Sequence, residues 1–136
     1  MPHSEVVFYQ DDDENRTVPV HEWMERLPAK VQDKCQAYLG QLEDSGHELK
    51  RPVADYLRDG IYELRPSFQG VAYRMLYFFP KPKRGKPGEP RKIVVVSHGL
   101  VKEGVVPGVE IERAIGRKKK FEAEPVRHTF QPALRR

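Results

Sequence analysis

The spacing of hydrophobic positions changes near the middle of the chain. Val6-Val7-Phe8-Tyr9 is a short β-branched and aromatic run that predicts an opening strand. Asp11-Asp12-Asp13-Glu14-Asn15 follows as an acidic loop. Between Pro19 and Leu27, the apolar residues Val20, Trp23, Met24 and Leu27 fall at helical spacing, and Pro28 stops the run. From Ala29 to Leu42 a second stripe comprises Val31, Cys35, Tyr38, Leu39 and Leu42, ended by Glu43-Asp44-Ser45-Gly46. Together they predict a helical hairpin. Pro52 to Leu57 reads as one more helical turn, closed by Asp59-Gly60.

Beyond Gly60 the period becomes two. Ile61-Tyr62-Glu63-Leu64-Arg65 alternates as a strand, and Pro66 to Gly70 forms a turn. Val71 to Phe79 is a longer, aromatic-rich strand. Residues 80–90 are a Lys, Arg, Pro and Gly loop with little to bury. Ile93-Val94-Val95-Val96 is almost purely β-branched, which predicts a central strand running on through Ser97, His98 and Gly99. Pro107 opens a last helix with Ile111, Ala114 and Ile115 on its apolar stripe, leading into Arg117-Lys118-Lys119-Lys120. The tail from Glu124 is polar and contains proline, which predicts a mobile segment. No internal repeat is visible. Helices followed by strands argue for α+β, with the helical hairpin on one face of a mainly antiparallel sheet and the other face free to bind.

Length refines this picture. A chain of 136 residues is one ordinary domain, here assigned to 1–121, with 122–136 as a flexible tail. No apolar run approaches the roughly 20 residues needed to span a bilayer. The first ten residues lack the basic and apolar regions of a secretory signal. A single cysteine, Cys35, excludes an internal disulfide and a cysteine-based zinc cluster, and is assigned to the core. These features fit a bacterial-type cytoplasm.

Charge changes the picture more. The net charge is +4. Residues 1–60 hold 7 Lys+Arg against 13 Asp+Glu, a net of −6, and residues 61–136 hold 17 against 7, a net of +10. A split of this kind predicts a face for a polyanion, most simply RNA, on an acidic scaffold. Basic solubility tails are the plainer alternative, and they account for Arg127, Arg135 and Arg136. They account less well for Arg65, Arg74 and Lys102, which lie inside apolar strand-like runs.

Four segments, in order, resemble RelE/HigB-type toxins of type II toxin–antitoxin systems, in the phage-derived HigB-like branch. They are Leu57 to Arg65, Tyr73 to Phe79, Ile93 to Lys102 with its Ser-His-Gly core, and Glu110 to Ala114 with the basic run behind it. The resemblance spans roughly residues 50–121. It implies a RelE-like fold, ribosome-dependent mRNA cleavage and neutralisation by a cognate antitoxin, a small helix-turn-helix protein. It also points to Arg65 and Arg74. The loop between Lys81 and Arg91 is longer and more basic than a tight hairpin.

An RNase can dispense with metal if the substrate's own 2′-OH is made the nucleophile. That needs a base, cations around the phosphorane and an acid for the leaving 5′-oxygen. The acidic residues gather in an N-terminal loop, and the five histidines show no ligand spacing, so neither a metal nor another cofactor is expected. Arg65 and Arg74 flank one predicted hairpin and offer planar forks for phosphate, or else pair with Glu63. His98 ends an apolar strand and titrates near neutrality, a proton-transfer candidate as well as an ordinary structural histidine. Lys102 is in phase with His98 and supplies charge or a proton. Tyr77 could stack on an unpaired base, although Tyr73, Met75 and Tyr77 as a set suit a core. Lys83 and Arg84 in the loop, and Lys118, Lys119 and Lys120 on the last helix, fit sequence-blind backbone contact with mRNA or the ribosome, or an acidic antitoxin segment. The expected protein is thus an mRNA-cleaving toxin, with a non-catalytic toxin of the ParE type and a phage-derived RNA- or protein-binding module as alternatives.

Overall fold

The structure is a computed structural model and describes residues 4–81 and 92–134. Among the described residues twelve elements follow the chain, eight of them helices or strands of four or more residues. Strand β1 (Ser4–Tyr9) leads to helices α1 (Pro19–Glu25) and α2 (Ala29–Ser45), the latter closed by a 3-10 turn at Gly46–Glu48. Strands β2 (Ala54–Arg58), β3 (Ile61–Leu64), β4 (Ser67–Phe68), β5 (Val71–Phe78) and β6 (Lys92–Lys102) precede helix α3 (Gly108–Ala123). A 3-10 turn at Val126–His128 and strand β7 (Thr129–Phe130) end the described chain. The sheet runs β2-β3-β5-β6-β1-β7, with β4 beside β5. All neighbours are antiparallel except β1 and β6, which run parallel from Ser4 opposite Lys92 to Phe8 opposite Val96. The fold is therefore α+β with a mostly antiparallel open sheet, as expected.

Turn chemistry sets the register of the small strands. Asp59 and Gly60 both have positive φ, 52° and 84°, and join Arg58 to its partner Ile61. Two consecutive left-handed residues make a turn whose twist matches a hairpin, the classical setting for Asp-Gly. Gln69 and Gly70 do the same between Phe68 and Val71, at 50° and 79°. The segment 52–57, expected to be helical, is corrected by this: Ala54–Arg58 is the edge strand β2, because Asp59-Gly60 folds it back along β3.

Two cores form, one on each side of the sheet. Val20 and Met24 of α1 and Val31, Cys35, Leu39 and Leu42 of α2 pack on Val6, Phe8, Leu64, Tyr73, Met75, Tyr77, Val94 and Val96. Cys35 is fully buried there, and burial pushes its thiol up to about 12. Ile111, Ala114 and Phe121 of α3 pack on Val7, Tyr9, Ile61, Leu76, Phe78, Val95 and Leu100. The second sheet face is thus covered by α3 and not left free. Strand β6 switches phase at a bulge near Ser97, since Leu76 faces His98 while Tyr77 faces Val96. The bulge puts His98 on the α3 side.

The tail is also a correction. His128 is buried, its Nδ1 is 2.8 Å from the Gln10 carbonyl, and its ring stacks on Tyr9 at 5.0 Å. Phe130 lies opposite Phe8, and Arg16 donates to the Arg127 carbonyl. Composition missed this because two aromatic rings, not a long apolar run, anchor the segment.

Candidate functional site

The parallel pair of β1 and β6 creates a concavity. After Tyr9 the chain leaves β1 toward α1, on one face of the sheet. After β6 it leaves toward α3, on the other face. Adjacent parallel strands whose connections depart to opposite faces leave a crevice at their carboxyl ends, the usual ligand position in open sheets. Strand β6 runs past the end of β1 and forms the floor. The resulting cleft, about 340 Å³, is lined by Thr17, Pro19, Glu22, Trp23 and Arg26 from the α1 side, His98 and Gly99 from β6, and Arg113 and Arg117 from α3.

Each wall has a local cause. Gly99 is a seat for Trp23: a Cβ there would come within 2.1 Å of the indole, so only glycine allows the ring to lie on the strand. Tyr73 meets the same indole edge-on at 6.4 Å. On α3, Glu110, Arg113 and Arg117 are three and four residues apart and share a stripe. Arg113 bonds Glu110. Arg117 lies 5.4 Å over the Tyr9 ring and 3.4 Å from Ser97 Oγ. Burial pushes its pKa below the ordinary guanidinium value, although a guanidinium stays charged.

His98 joins these groups. Its Nδ1 is 2.7 Å from Ser97 Oγ and its Nε2 is 3.2 Å from Glu110 Oε1. A neutral ring with the proton on Nε2 satisfies both contacts: Nε2–H donates to the carboxylate and the serine hydroxyl donates to Nδ1. Burial, then the nearby Arg117, push the imidazole down to about 4, against the pull of Glu110. His98 is therefore uncharged at neutral pH, in the form that accepts a proton.

Arg65 and Arg74 do come together, on Glu63. Arg65 Nη1 is 2.7 Å from Glu63 Oε2 and Arg74 Nε is 3.2 Å from Glu63 Oε1. The second pair is within ion-pair distance but out of line for a hydrogen bond, so Glu63 Oε1 and Arg74 Nε have no such partner among the described residues and their attraction is coulombic. Glu63 and Arg74 are 2% and 5% exposed. Burial lowers the Arg74 pKa while Glu63 opposes it. Beside them Arg51 Nη2 lies 2.8 Å from Asp55. This group sits on and beside the β2, β3 and β5 strands, where Glu63 lies opposite Leu76 and Leu76 opposite His98, and none of its members lines the cleft.

Lys102 ends β6 opposite Ala72 and is partly exposed, in the same phase as His98 but outside the cleft lining. Tyr77 is corrected: it is 1% exposed, stacked on Tyr62 at 5.4 Å, with burial raising its phenol pKa, so no face is open to a base. Lys118 is 3.5 Å from Glu122, while Lys119 and Lys120 are exposed. Lys83 and Arg84 lie outside the described residues. Sequence reasoning passed over Trp23, Arg26 and Arg113 as site residues, and took Arg117 only as part of a basic run. The i, i+4 spacing of Arg113 and Arg117 was the available signal. Among the described residues, no group of three His, Cys, Asp or Glu stands close enough to hold a metal, and no helix is long and apolar enough to cross a membrane.

No curated protein matches the chain significantly. A family model described as phage-derived protein Gp49-like (DUF891) matches residues 22–119, from the α1 wall of the cleft to the basic run of α3. That is well over half of the chain, and the protein belongs to this Gp49-like family, a RelE/HigB-type toxin-like family.

Proposed function

We propose that the protein is the toxin of a toxin–antitoxin pair and an endoribonuclease that cuts mRNA, on the ribosome, without a metal ion. The observation that carries this reading is the convergence of a neutral His98 with Arg26, Arg113 and Arg117 in one cleft. Family membership supports the toxin part.

In the reaction the 2′-oxygen bonds to the adjacent phosphorus and the bond from phosphorus to the 5′-oxygen breaks. The proton of the 2′-OH goes to a base and the 5′-oxygen takes one from an acid. His98 is the base. Arg117 and Arg113 both act against a charge on its ring, and a phosphodiester between them offsets that effect. Substrate binding thus raises the basicity of His98 when it is needed, and Glu110 stabilises the imidazolium. The two guanidiniums hold the growing charge on the phosphorane. Lys102, in phase with His98 on β6, supplies the leaving-group proton. Arg65 and Arg74 hold the strand ends that frame the site, with Arg65 within reach of the RNA backbone.

The test is induced expression with growth and mRNA integrity as readouts. Wild type should arrest growth and fragment mRNA, whereas Arg117→Gln should lose about 10²-fold or more in cleavage rate. Growth arrest with intact mRNA, or full cleavage by His98→Gln, overturns the nuclease reading.

A further inference from the structure

Three features of the cleft bear on what it binds. The first is an aromatic wall. Trp23 is the chain's only tryptophan, half-buried, with its indole seated on Gly99 and braced by Tyr73. A ring held by these two contacts has already lost much of its rotational freedom, so stacking on it costs little further ordering. The second is size. At about 340 Å³ the cleft is at the small end of ligand sites, which run from roughly 300 to 1,000 Å³. It suits one nucleotide and not a paired helix. The third is the placement of the walls: Arg113 and Arg117 stand side by side on the α3 wall and Trp23 on the α1 wall with Glu22 and Arg26, with the His98-Gly99 floor between them.

We infer that the cleft is a one-nucleotide subsite: an unpaired base lies against the indole of Trp23, and the phosphodiester attached to it is held by Arg113 and Arg117. This deepens the proposed function and rests on it for the identity of the polymer. Base–aromatic stacking tolerates any base, because every base has a π-face. The guanidiniums bind the charge that every nucleotide carries. Trp23 therefore sets which nucleotide of a strand is placed under His98, acting as a positioning residue that touches the base and not the reacting atoms. An acidic peptide would use the same arginines but would leave the indole without a flat partner.

The probe is the deoxydinucleotide d(ApA), which has a phosphodiester and bases but no 2′-OH to be cut. Titrated into the intact wild-type protein, it should quench the single tryptophan's emission saturably. Arg113→Gln and Arg117→Gln should each weaken binding about tenfold. By calorimetry, Trp23→Leu should weaken d(ApA) about tenfold while binding inorganic phosphate as wild type does. Native circular dichroism of each variant separates lost binding from lost fold. No quenching at millimolar d(ApA), or equal quenching by inorganic phosphate or a poly-glutamate peptide, overturns the subsite. Binding of d(ApA) by a protein that leaves mRNA intact would uphold the subsite and reject the nuclease step. Cleavage without quenching would do the reverse.

Discussion

The molecule holds two groups of arginines, and they differ in what surrounds them. Arg65 and Arg74 lie on the β3–β5 part of the sheet and close on a buried Glu63. Arg113 and Arg117 lie on α3 at the ends of β1 and β6 and border an open cleft with His98 in its floor. The first pair shares one buried carboxylate within the fold, and neither member lines the cleft. The second pair has a Glu110 hydrogen bond on one member, a serine contact, the Tyr9 ring and the more distant pull of Asp11 on the other, and the cleft in front of both. An arginine in an apolar strand is conspicuous in sequence because it must be explained, yet its explanation here is an internal carboxylate. A guanidinium is free for phosphate only where the backbone leaves a gap, and the gap comes from topology.

The largest effect that would test the contrast comes from Glu63→Gln. It leaves Arg74 buried without its counter-charge and should destabilise the fold by about 3–5 kcal/mol in urea unfolding. A loss below about 1 kcal/mol would mean that Arg74 finds another partner, and the sheet pair would no longer differ from the cleft pair. Gly99→Ala is next. The new methyl overlaps Trp23, so the indole must move, at a cost of about 1–3 kcal/mol and with red-shifted emission. Unchanged emission would show that the indole does not rest on β6.

The pH dependence sharpens the cleft side. His98 is held neutral in the fold, near 4, against an unfolded value near 6.5. Below 6.5 the unfolded chain binds the proton first, so the contribution is complete above that pH and is lost as pH falls toward 4. Stability should drop by roughly 3 kcal/mol across this window from this group. His98→Gln should flatten that part of the profile, and an unaltered slope would place the titration elsewhere. The smallest effect belongs to Arg65→Gln. Arg65 is about one-fifth exposed and its ion pair should be worth no more than about 1 kcal/mol, with cleavage largely kept. Abolished cleavage in a folded Arg65→Gln protein would move phosphate binding to the sheet and reverse the comparison.

Much of the fold was legible in the chain. The stripes of α1, α2 and α3, the β-branched centre of β6 and the α+β order all follow from local periodicity, since each face must be buried. The β2 edge strand was misread, although Asp59-Gly60 carried the hairpin signal. His98 was legible as a candidate from its place after an apolar strand. Its neutrality was not, because burial and Arg117 reach it from a helix that follows in sequence and crosses above it.

The sequence by itself determined the elements, the sign of the two halves and the small set of residues able to bind phosphate or move a proton. Only the tertiary structure decided which of those residues have room to act. Glu63 is two residues from Arg65 in sequence but reaches Arg74 across the strand pair, so one carboxylate is shared by two guanidiniums. Trp23 and Arg117 are far apart along the chain and face one cleft because β1 and β6 lie parallel and send their helices to opposite sides. Long-range strand pairing fixes both outcomes, and no local pattern in the sequence encodes it.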